Sequence, residues 1–162
     1  EYIRTGLKYN EFVNNFREGL TIATNRRQMR LDYTLTLPGM FDVENMQALA
    51  DELGVDILAK TIFTFTPDII MSPLALPRKI LDRLVDELIT NNNLGRALVD
   101  VLTQLKHRPT MAEQWPDQYA EGMRKGKNRI HTLERIRNDD FTMRDILSAD
   151  KEILKWWEGI SA

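Results

Sequence analysis

The side chains of this 162-residue chain that could do bond chemistry are few and scattered. There is no cysteine, which excludes thiolate nucleophiles, thiolate metal sites and disulfides within the chain. The two histidines, His107 and His131, are separated by an expected turn and helix and have no metal-ligating companions, so they read as surface or helix-end residues. No phosphate loop, Gly-x-Gly-x-x-Gly, Gly-x-Ser-x-Gly or His-Glu-x-x-His pattern occurs. Arg124, Lys125, Lys127 and Arg129 would suit a nucleic-acid backbone, but Glu113, Asp117, Glu121 and Glu134 stand close by. The set therefore reads as a solvated helical face.

Composition points the same way. A net charge of −2 gives no electrostatic case for nucleic acid, and 43% hydrophobic with 28% charged residues belongs to the globular class. No apolar run approaches a membrane span, and no charged-then-apolar amino terminus suggests a signal peptide.

Positioning elements can be read from periodicity. Phe12, Val13, Phe16 and Leu20 lie at helical spacing in an expected helix over 10–25. Leu31 to Thr36 is β-branched and aromatic and is stopped by Leu37-Pro38-Gly39, the pattern of a strand end. Asp42 offers an N-cap oxygen, Val43, Met46, Leu49, Ala50 and Leu53 form a helical face, and Gly54 supplies a left-handed stop. A second strand is expected from Ile57 to Thr66. Strand, helix and strand in so short a span predict a right-handed crossover with parallel strands. Ligands in such folds meet the carboxyl ends of the strands, which puts residues 37–40 and 65–68 on the rim, with Asp68 and Ser72 as cap, turn or substrate-facing residues.

After Pro77 the pattern becomes helical. Ile80, Leu81, Leu84, Val85 and Leu88 form one face, and Leu94, Leu98, Val101, Leu102 and Leu105 form another beyond the Asn91-Asn92-Asn93 break. Arg108-Pro109-Thr110 is a further stop with Thr110 a candidate cap, and Asn138-Asp139-Asp140 reads as a turn. Trp156 and Trp157 are expected to pin the last helix through buried aromatic area.

Three stretches carry a resemblance. Tyr2-Ile3-Arg4-Thr5-Gly6 with Phe12-Val13-Asn14-Asn15 and the first strand is one. Leu53-Gly54-Val55-Asp56 entering the second strand, followed by Ser72-Pro73-Leu74-Ala75-Leu76-Pro77, is another. The third is Leu133-Glu134-Arg135-Ile136-Arg137-Asn138-Asp139-Asp140-Phe141 ending in Trp156-Trp157. In that order they resemble the later part of radical S-adenosylmethionine (SAM) enzymes with a twitch- or SPASM-like extension.

The resemblance implies an α/β fold, a partial parallel (β/α) barrel over residues 1–76 with a helical extension over 77–162. It implies that Arg4 pairs with the SAM carboxylate and that Thr36, Leu37 and Phe65 lie against the adenine and ribose, with core packing the competing role for the last three. The family's Cys-x-x-x-Cys-x-x-Cys loop, which holds a [4Fe–4S] cluster, is absent here.

With a start at Glu1, the expectation is a carboxy-terminal piece, inactive alone, of an enzyme that forms a 5′-deoxyadenosyl radical in a reducing cytoplasm. Its partners would be the missing amino-terminal half of the barrel and an unknown substrate, with neither nucleic acid nor membrane. The rival expectation is a non-catalytic α/β-plus-helical interaction module.

Overall fold

A computed structural model describes residues 7–62, 67–68, 70–137 and 141–161. The element order is α1 (Tyr9–Ile22), β1 (Arg30–Leu35), α2 (Val43–Leu53), β2 (Asp56–Thr61), α3 (Arg78–Asn91), α4 (Arg96–Lys106), α5 (Met111–Gln114), α6 (Pro116–Arg137), α7 (Met143–Leu147) and α8 (Lys151–Gly159). The expected partial (β/α) barrel is not what forms. The chain is mostly helical, and the sheet in the described residues is a single parallel pair, β1 with β2. The physical reason lies after β2: from Arg78 onward the described elements are all helices, with α3, α4 and α8 amphipathic at helical period, so no further strand extends the pair there.

The βαβ unit itself forms as its residues dictate. β1 and β2 pair in parallel register from Arg30 opposite Asp56 to Leu35 opposite Thr61. Gly54 closes α2 at φ 63°, a conformation in which a Cβ would be strained. Asp42 occupies the N-cap position without capping the helix backbone, and its Oδ1 instead accepts from the Asn45 side chain at 2.7 Å. The predicted strand from Ile57 ends at Thr61, and residues 63–66 lie outside the described set, as does the turn predicted at 138–140.

Two apolar clusters hold the body together. The smaller joins Val13 of α1 to Leu31 and to Leu49, Ala50 and Leu53 of α2. The larger runs from Tyr33, Leu35 and Leu37 through Leu81, Leu102, Leu105 and Met123 to Trp157, so residues on both sides of position 76 share one core.

Close packing at α6 depends on two missing side chains. A Cβ on Gly122 would sit 2.8 Å from the Pro67 carbonyl carbon, and one on Gly126 would sit 3.0 Å from the Asp68 carbonyl oxygen and from Ile70 Cβ. The return from β2 thus lies directly on the helix backbone.

Polar side chains then fix the helices against one another. Arg78 of α3 donates to the Lys106 carbonyl at 3.1 Å, to the Arg108 carbonyl and to Glu113 at 2.9 Å. Glu113 also completes a capping box with Thr110, the predicted cap. Arg83 binds Asp150 at 2.7 Å and Glu152 at 2.9 Å, tying α3 to the start of α8.

Lys127 contradicts its sequence reading. It is buried, not part of a solvated face, and its ammonium donates to the Trp157 and Ile160 carbonyls at 2.9 and 2.8 Å. A cation at the carboxyl end of α8 satisfies orphan carbonyls and complements the helix dipole. Trp157 is in the core as expected, while Trp156 Nε1 donates to Tyr119 Oη at 3.2 Å, and Tyr119 donates to the Ala75 carbonyl at 2.7 Å. Among the described residues no helix is long and apolar enough to cross a membrane.

Three outcomes are expected. Gly122→Ala gains helix propensity of ~1 kcal/mol but forces the Pro67 backbone away, for a net loss of ~1–2 kcal/mol in urea unfolding. Lys127→Met strips a partner from two carbonyls and should lower stability by ~1–3 kcal/mol in the same assay.

The third concerns acid. The Arg78 guanidinium, helped by the Thr110 backbone N–H, holds the Glu113 carboxyl down at about 2 from an ordinary 4.5. A carboxylate with a depressed folded-state pKa stabilises fully above 4.5 and loses that contribution as pH falls toward about 2. Glu113→Gln should therefore flatten the decline of the urea midpoint across that window, damped because the side chain is half exposed.

Candidate functional site

At the carboxyl end of β1, where the sequence places a ligand, the described residues are taken up by the chain itself. Thr36 and Leu37 are buried, at 3% and 0% exposure. Thr36 Oγ1 accepts from the Gly39 N–H at 3.0 Å, and the Leu37 N–H donates to the Met71 carbonyl at 2.7 Å. Tyr33 Oη donates to the Gly39 carbonyl at 2.5 Å, and burial, with the nearby Asp42 charge, pushes the phenol pKa up. A phenol so held stays a neutral donor that braces the turn.

Ser72 is fully buried, donating to the Ile62 carbonyl at 3.5 Å and accepting from the Leu74 N–H at 3.2 Å, the cap and turn role foreseen for it. Asp68 is exposed. Arg4 and Phe65 lie outside the described residues.

A different surface has the character of a site. Strand alternation sends Leu31, Tyr33, Leu35, Ile57, Ala59 and Thr61 to the face that joins the cores. The opposite face carries Arg30, Asp32 and Thr34 on β1 beside Asp56, Leu58 and Lys60 on β2. Of these six only Thr34 is half-buried, the others being exposed. Lys60 Nζ lies 2.9 Å from Asp32 Oδ1.

Parallel sheets ordinarily have both faces covered, whereas this one leaves a charged face open. Chemically the face offers a carboxylate, an ammonium and a hydroxyl within one short ladder, able to take up a polar ligand or a polar protein surface. Asp32 and Thr34 are legible as the polar half of the two-residue period in Asp32-Tyr33-Thr34, whereas Lys60 shares its face with the exposed apolar Leu58.

A shallow cleft of about 390 Å³ lies between α1 and α2, lined by Arg17, Leu20, Thr21, Glu52 and Leu53. Arg17 and Glu52 bond to each other across it, as Lys60 and Asp32 do on the strand face.

The residues present do not fit an iron–sulfur cluster. The chain has no thiolate to offer, and among the described residues no group of three His, Cys, Asp or Glu could hold a metal ion. Compared with protein-family models, curated proteins and solved structures, the chain finds no match.

Because Asp32 and Lys60 are both about half exposed, their pair should contribute little to folding. Lys60→Met is expected to change stability by less than ~1 kcal/mol in urea unfolding, and a larger loss would make the pair part of the framework.

Proposed function

We propose that this chain is a segment of a radical SAM enzyme and serves it through binding, the cluster ligands being carried by residues outside this sequence. The observation that carries the reading is the parallel pair with its helices on one face and Asp32, Thr34 and Lys60 on the other. It is supported by the ordered resemblance of the segments around Phe12, Leu53 and Ser72 and of the tail.

In this reading the open face turns toward the reacting molecules. Asp32 and Lys60 hold polar groups there by charge-assisted hydrogen bonds, while the α3–α8 body backs the sheet from its other face. SAM itself and the [4Fe–4S] cluster would supply the radical chemistry. Contact with SAM through Thr36 and Leu37 would require the chain at Met71 to move off the strand end, so the reading rests on the open face.

A second reading, a non-catalytic interaction module, is favoured by the apolar surface on and before α1. There Leu7, Tyr9 and Phe12 are 39%, 49% and 40% exposed.

One experiment separates the two. The coding sequence upstream of Glu1 is read, and the in-frame extended protein is prepared anaerobically with iron and sulfide and assayed with SAM and a reductant. The enzyme reading expects Cys-x-x-x-Cys-x-x-Cys upstream and release of 5′-deoxyadenosine. It also expects a fall of about tenfold or more in turnover for Asp32→Asn with Lys60→Met, at unchanged melting temperature. Absence of those cysteines, or of 5′-deoxyadenosine, overturns it and leaves the interaction module.

A further inference from the structure

We draw no further inference here: the strongest candidate, the exposed apolar surface of Leu7, Tyr9 and Phe12 on and before α1, has nothing in the structure to show what covers it.

Discussion

The contact between Gly122 and Gly126 of α6 and the chain at Pro67, Asp68 and Ile70 is the constraint on which the rest of the architecture depends. Without a Cβ at either position, Pro67, Asp68 and Ile70 come directly onto the backbone of α6. Met71 then receives the Leu37 N–H, which engages the end of β1 where an open α/β sheet would meet a ligand. The same contact sets the rotation of α6. With Gly126 turned toward the return, Lys127, one step round the helix, faces the end of α8. Tyr119, one turn before Gly122, reaches Ala75 and receives the Trp156 indole.

Charge completes what packing begins. Arg78 and Arg83 lie five residues apart on α3, and each gathers a different end of the helical body. Arg78 takes the carboxyl end of α4 and the start of α5, and Arg83 takes the start of α8. Guanidinium forks suit this work because one side chain can satisfy several carbonyls and carboxylates at fixed angles. Burial alone would raise the Asp150 pKa, yet hydrogen bonds from the Ile153 N–H and from Arg83 outweigh it and hold the carboxyl below its ordinary value. Lys127 shows the converse: desolvation lowers its pKa despite the opposing charge of Glu158, so its two carbonyl bonds are made against a burial cost.

The functional consequence is a sheet with two unlike faces. One is sealed by helices and belongs to the core, and the other presents Asp32, Thr34 and Lys60 where a parallel sheet is ordinarily covered. The hydroxyl of Thr36 and the phenol of Tyr33, at the end of β1, are committed to the turn at Gly39.

Most local signals were legible where a residue acts on its near neighbours, Asp42 being an exception because its carboxylate takes the Asn45 side chain instead of the helix backbone. The strand at Leu31, the left-handed stop at Gly54, the cap at Thr110 and the apolar faces of α3 and α4 all follow from periodicity and backbone preference, and the structure has them. The candidate site was less legible: Thr36 and Leu37 do stand at a strand's end, but both are buried, and Leu37 bonds Met71, a partner far along the chain. Lys127 read as a surface cation because nothing in its own helix announces the carbonyls of Trp157 and Ile160. The sequence by itself determined the elements and their amphipathic faces, since those depend on short-range sterics and hydrogen bonding. Only the tertiary structure decided that Met71 engages the end of β1, that Lys127 is interior and that the charged strand face is left open, because each depends on backbone approaches between segments far apart in the chain.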